Sequence, residues 1–254
     1  MELLNSPELN NSKCRIIYAQ PLSENGLRKG RVLLSPDGSK VAFVATEGSK
    51  VTFHIVGSSG EPIQNLCENC GSNLFQWSPS GRDLLYYWGQ PIRFGLLNVI
   101  SGQKSVVLEH PTYDLYRGNI SPDERWIAFH VPMGQTLSPV FIAALGQRPA
   151  PENDWVHVTE GSGMDAWPCW SPDGGLLYFM SHRDGFRCLW AQPLDFETKR
   201  PVGLPISVLH IHSARRSLLN WRAGGEMGMS LTRDALVFSM LEITGNIWMA
   251  ERER

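Results

Sequence analysis

Trp170-Ser171-Pro172-Asp173-Gly174-Gly175-Leu176-Leu177-Tyr178-Phe179 reads as the end of one strand, a tight turn and a second strand. Pro172 presets φ for the second turn position, and Gly174 supplies the positive φ that a short hairpin needs. The aliphatic and aromatic run after the turn suits a half-buried pleated surface. A third strand is expected at Cys188-Leu189-Trp190, beyond a loop.

The same unit recurs. Ser35-Pro36-Asp37-Gly38, Ser78-Pro79-Ser80-Gly81 and Ser121-Pro122-Asp123-Glu124 are earlier copies, and a worn fifth begins at Ser230, where Leu231 replaces the proline. The serines stand 43, 43, 50 and 59 residues apart. Six residues after each is an aliphatic (Val41, Leu84, Ile127, Leu177, Leu236), and eight after each an aromatic (Phe43, Tyr86, Phe129, Phe179, Phe238). Strand alternation puts these two positions on one face. Further short apolar runs give each copy a third strand, and the first four copies a fourth. A four-stranded unit of about 40 to 45 residues is the signature of a propeller blade.

The expected fold is therefore all-β: one β-propeller domain over 1–254, with four-stranded blades at about 30–66, 73–108, 115–158, 165–209 and 226–250. Five blades are expected, six with one degenerate being the alternative. The last copy leaves no room for a fourth strand. The segment 14–20, containing Arg15-Ile16-Ile17-Tyr18, is expected to pair with it and close the ring, removing exposed sheet edges.

The turn Trp170-Ser171-Pro172-Asp173-Gly174 followed by Leu177-Tyr178-Phe179 resembles the WD40-like (PD40) repeat of TolB-type β-propellers, over roughly residues 30 to 250. The tail, from Asp184-Gly185-Phe186 through His212-Ser213-Ala214-Arg215-Arg216 to Gly245-Asn246-Ile247-Trp248-Met249, is similar to the C-terminal propeller of bacterial multidomain kinases and winged-helix regulators. The departures are Ser80 for Asp, Glu124 for Gly and Leu231 for Pro. The resemblance implies a binding or regulatory propeller.

A net charge of −2 gives no overall pull toward nucleic acid or an anionic membrane. The first 13 residues lack the apolar core of a signal peptide, and no run of about 18 apolar residues exists. A cytoplasmic chain is expected, or a periplasmic one if it belongs to a longer exported protein. Five cysteines are an odd number in a chain too large to need disulfide staples, so reduced thiols are the favoured reading. For Cys67 and Cys70, separated by Glu68-Asn69, a disulfide ranks next and zinc last, because structural zinc takes four protein ligands. Cys169 and Cys188 fall in expected strands, as small core residues.

The dense aromatic content of the second and third copies, including Trp77, Tyr86, Tyr87, Trp88 and Trp126, fits the wedge between twisted sheets. His110, His130 and His157 are isolated in sequence. Neither Gly161-Ser162-Gly163 nor Gly57-Ser58-Ser59-Gly60 completes a nucleophile elbow or a phosphate loop.

The longest link between copies, Leu209 to Gly228, carries His210, His212, Arg215 and Arg216. By the repeat geometry it lies on the same ring face as Asp165 and Trp167, and the six residues make the candidate binding set. Ser213 is read as the cap of a short helix to about Trp221, stopped by Gly224-Gly225. The two arginines near its start would attract an acidic group. His210 and His212 alone are too few for a catalytic metal, and neither metal nor cofactor is expected.

The expectation is a non-enzymatic, monomeric scaffold that binds a protein or peptide through its axial loop face, with no nucleic-acid partner and no membrane insertion. The alternative is a module that gates a kinase or peptidase domain.

Overall fold

The computed structural model describes residues 28–59, 62–134, 136–161, 163–213, 216–218, 229–232 and 234–242. The expected closing strand at 14–20, the third strand at 246–250 and Arg215 lie outside these residues.

The Ser-Pro turn is built by the serine as much as by the proline. In four copies its N–H donates to the carbonyl five residues on, as from Ser35 to Lys40 at 2.8 Å and from Ser171 to Leu176 at 2.9 Å. Its Oγ accepts the N–H of that same residue: Lys40 at 2.9 Å, Asp83 at 3.1 Å, Trp126 at 3.0 Å and Leu176 at 2.8 Å. The hydroxyl proton then goes to the aspartate two residues on, Asp37, Asp123 or Asp173. In the second copy Ser80 stands in for the carboxylate, 3.2 Å from Ser78 Oγ. The fourth turn residue is left-handed in every case: Gly38 at φ 73°, Gly81 at 71°, Glu124 at 57° and Gly174 at 72°.

Each turn joins the first two strands of a four-stranded antiparallel sheet whose strands pair in chain order. The first sheet holds β1 (Arg28–Leu34), β2 (Lys40–Glu47), β3 (Lys50–Gly57) and β4 (Gln64–Glu68). The second holds β5 (Asn73–Trp77), β6 (Asp83–Trp88), β7 (Arg93–Asn98) and β8 (Lys104–Leu108). The third comprises β9 (Tyr116–Ile120), β10 (Trp126–His130), β11 (Val140–Ala144) and β12 (Val156–His157). The fourth comprises β13 (Asp165–Trp170), β14 (Leu176–Ser181), β15 (Cys188–Pro193) and β16 (Ile206–Leu209). Beyond it, β17 (Arg216–Leu218) pairs with β20 (Met240–Glu242), and β18 (Met229–Leu231) with β19 (Leu236–Phe238). No α-helix occurs among the described residues.

The core lies between consecutive sheets. Ala42, Val44, Phe53 and Ile55 of the first sheet pack on Leu74, Leu84 and Tyr86 of the second. Leu85 and Phe94 of the second meet Ile120, Ile127 and Phe129 of the third. Ala128, Val140 and Ile142 of the third meet Trp170, Leu177 and Phe179 of the fourth. Ala166, Met180 and Leu189 of the fourth meet Leu218, Leu236 and Phe238. In the second, third and fourth sheets and in β19, the repeated aliphatic and aromatic thus face the preceding sheet. Burial of this apolar surface is the dominant favourable term in such a stack.

Two sequence expectations are corrected here. Ser213 does not cap a helix: its Oγ accepts the Arg216 N–H at 3.2 Å, and Arg216–Leu218 continues as strand. The short-range cap signal yields to ladder bonds, with Arg216 opposite Glu242 and Leu218 opposite Met240. Cys67 and Cys70 are joined by a disulfide rather than reduced. Cys67 pairs with Phe53 one residue before β4 ends at Glu68, and Asn69 at φ 50° turns the chain so that Cys70 comes back against it.

Candidate functional site

The fourth sheet positions the candidate residues. β13 enters the sheet at Asp165, β14 returns to the same edge, and the loop 182–187 turns the chain into β15. β16 runs back to that edge and delivers His210-Ile211-His212. In this extended segment Ile211 is buried among Ala166, Met180 and Leu189, while the two histidines sit together outside. Alternation along an extended chain is the cause.

Asp184 reaches this pair from the loop 182–187. Its Oδ2 lies 2.8 Å from His210 Nδ1 and 2.9 Å from His212 Nε2, and those two nitrogens are 3.1 Å apart. The Phe186 N–H donates to Asp184 Oδ1 at 3.2 Å, and the Phe186 ring stacks on His212 with centroids 4.6 Å apart. Trp190 meets His210 edge-on at 5.3 Å. Below lies buried Cys188, whose Sγ accepts the Ile211 N–H at 3.3 Å. Burial pushes the Asp184 carboxyl up, but hydrogen bonds from His212, the Phe186 N–H, Cys188 and His210 outweigh it and hold its pKa at about 2.

The other candidates are placed differently. Asp165 is buried, with Arg183 Nη2 3.7 Å from its Oδ1, and its N–H donates to the Ser138 carbonyl at 3.0 Å. Arg183 lies over the rings of Trp190 and Phe179, at 4.8 Å and 5.1 Å. Trp167 sits at φ 54° where the pairing of β13 slips between Ala166 and Cys169. Its buried ring stacks on His130 and lies under Arg117. The exposed Arg216 pairs with Glu242 at 3.4 Å. The structure thus gathers His210 and His212 at the surface and puts Asp165 and Trp167 into the framework below. Sequence reasoning missed Asp184 and Cys188. Their signal was topological: every second-to-third strand loop lies on the face where the links between sheets arrive.

A second feature opens at the opposite end of the first strands. A cavity of about 470 Å³ is lined by Leu33, Gln76, Trp77, Asn119, Trp170 and Met229, with the Ser-Pro turns at its rim. Gln76 and Asn119 are bonded to each other at 3.2 Å, and Gln76 Oε1 also accepts the Ile120 N–H at 2.9 Å. Cys169 lines the wall, its thiol pushed up to about 12 by burial, so it carries no thiolate at neutral pH. Leu34, at the rim, is 61% exposed.

Sheets whose innermost strands line a common cavity, each packed face to face on the next, define a β-propeller. The fold is that of the TolB-like propellers. A putative TolB from Agrobacterium tumefaciens matches with 22% identity and a TM-score of 0.51, over 68% of this chain and 64% of that one. A prolyl endopeptidase matches with 16% identity and a TM-score of 0.56, over 87% of this chain and 33% of that one. An oligogalacturonate lyase in complex with manganese matches with 14% identity and a TM-score of 0.60, over 77% of this chain and 57% of that one. The chain thus spans less than two thirds of each of these proteins. No protein-family model matches the sequence, and no curated protein does. Among the described residues no helix is long and apolar enough to cross a membrane.

Proposed function

We propose that this chain is a non-enzymatic propeller that binds a peptide segment of a protein partner at its axis. The observation that carries this reading is the chemistry of the axial cavity. Its described lining is apolar and amide-bearing, and its two amides are engaged with each other and with backbone. Such a wall offers shape and a few hydrogen bonds, the usual makeup of a binding pocket. Leu34 and Leu231 at the rim would hold apolar side chains of an extended segment.

The test is a screen of immobilised peptides against the purified chain, followed by Leu34→Glu and Leu231→Glu variants of unchanged melting temperature. Loss of binding in both supports the reading. Binding that neither variant alters, or turnover of any peptide, overturns it.

A second reading is favoured by the endopeptidase match, which takes in most of this chain but only a third of that one. Here the propeller screens substrates for a catalytic domain carried elsewhere. Activity of a candidate catalytic domain that changes when this chain is added, and is restored by Leu34→Glu, separates this reading from the first.

A further inference from the structure

We propose that Asp184, Cys188, His210 and His212 form a binding site for one divalent metal ion, zinc by its donor set. One oxygen, one sulfur and two nitrogens, each a possible ligand atom, lie within 4.8 Å of one another. The Asp184 Oδ2, His210 Nδ1 and His212 Nε2 atoms form a triangle with edges of 2.8, 2.9 and 3.1 Å. Hydrogen bonds alone do not satisfy this triangle. If both imidazoles donate to Oδ2, two N–H groups crowd each other; if one donates to the other, that other has no proton left for the carboxylate.

A cation at the centre resolves the conflict, because all three atoms then present lone pairs. Tetrahedral zinc with bonds of about 2.0 to 2.1 Å needs ligand edges of about 3.3 Å, so the triangle opens by only a few tenths of an ångström. Cys188 Sγ supplies the fourth corner from the buried side. Mixed imidazole, thiolate and carboxylate sets suit zinc better than the oxygen-seeking magnesium or calcium.

The surroundings are those of a supported site. The Ile211 N–H donates to Sγ, as suits a thiolate, and the Phe186 N–H orients the carboxylate through its other oxygen. Phe186 and Trp190 hold the two imidazole rings from either side. Such outer contacts fix ligand orientation in metal sites. Four protein ligands leave no open position, so the ion is a clamp, tying the loop 182–187 to the link that follows β16. The proposal is independent of the peptide-binding reading.

The test uses the whole chain without a histidine tag, in non-reducing buffer so that Cys67 and Cys70 stay paired. After dialysis against a weak chelator, one zinc per chain is expected, with a higher melting temperature than the metal-stripped protein. Cobalt in its place should give visible bands of tetrahedral intensity and a thiolate-to-cobalt charge-transfer band that Cys188→Ser removes. Asp184→Asn and His212→Ala should each weaken zinc binding by more than the roughly 100-fold that loss of an outer partner costs. Asp184→Asn keeps the size of the side chain and guards against misfolding. No retained zinc, a cobalt spectrum without the thiolate band, or zinc binding unchanged in Asp184→Asn and His212→Ala would each overturn the assignment.

Discussion

The indole N–H of Trp170 donates to the backbone carbonyl of Asn119 at 2.9 Å, across the seam between the third and fourth sheets. Trp77 repeats the bond two seams earlier, between the second and first sheets, to Leu33 at 3.0 Å. Both tryptophans immediately precede the turn serine, and both acceptors lie two residues before the serine of the preceding copy. At the seam between them Ile120 has no indole, and the Gln76 side chain takes the Ile120 N–H instead.

Trp170→Phe keeps most of the ring but leaves the Asn119 carbonyl without this donor in a largely buried seam. We expect a loss of about 1–3 kcal/mol, measured by urea unfolding. Trp77→Phe should cost a similar amount. A loss under half a kilocalorie in both would show that the seams are held by packing alone.

Glu124 occupies a left-handed turn position that glycine fills in the other three described copies, while its carboxylate reaches the Ser80 N–H and Arg82 of the preceding sheet. Two substitutions separate these effects. Glu124→Ala loses the contacts and keeps the strained backbone; Glu124→Gly loses the contacts and relieves it. The glycine variant should be the more stable by about 1 kcal/mol.

Gly95 packs so closely that an added Cβ would lie 2.8 Å from both the Trp88 and Tyr86 rings and 2.9 Å from the Ser105 carbonyl. Gly95→Ala should therefore destabilise by about 1–3 kcal/mol, read from the denaturation midpoint. Gly102→Ala, with nothing near the new methyl but a φ of 69°, should cost less.

Acid should destabilise the protein in two stages. Burial, with Arg117 nearby, depresses the His130 imidazole from 6.5 to about 3. Below pH 6.5 the unfolded chain binds a proton that the folded one refuses, so stability falls from there toward pH 3. His54 and His182, also lowered by burial, add to this slope. Asp37, lowered from 3.8 to about 2 chiefly by the Ser35 hydroxyl, adds a second decline as pH falls from 3.8 toward 2. His130→Gln keeps a partner for Ser138 and should flatten the upper part of the profile. An unchanged profile would mean that His130 titrates normally.

Alkylation of the native protein without reductant should spare Cys67 and Cys70, and reduction should expose both. Cys169 and Cys188 should react only after unfolding, since burial raises both thiols. Peptide mapping by mass spectrometry reads all four.

The repeat was legible because its chemistry is local. Serine, aspartate and glycine within four residues make the turn, and the aliphatic and aromatic positions after it mark the face that packs on the neighbouring sheet. The strands β11 and β16 coincide with the short apolar runs Val140–Ala144 and Ile206–Leu209. The His210, Asp184 and Cys188 cluster was not legible, because 22 and 26 residues separate its halves and only the pairing of β16 with β15 joins them. The helix after Ser213 misled for the opposite reason. Its signals were local, and the strand that displaced it pairs with residues 22 to 26 positions away.

Both tryptophan bonds point the same way, from a sheet to its predecessor, so the second and fourth sheets each carry a plug whose socket is a carbonyl of the sheet before. A tandem duplicate of either of these sheets would arrive with its plug already in place. Rings of different circumference are then reachable by gene duplication alone, with no new chemistry needed at the joint.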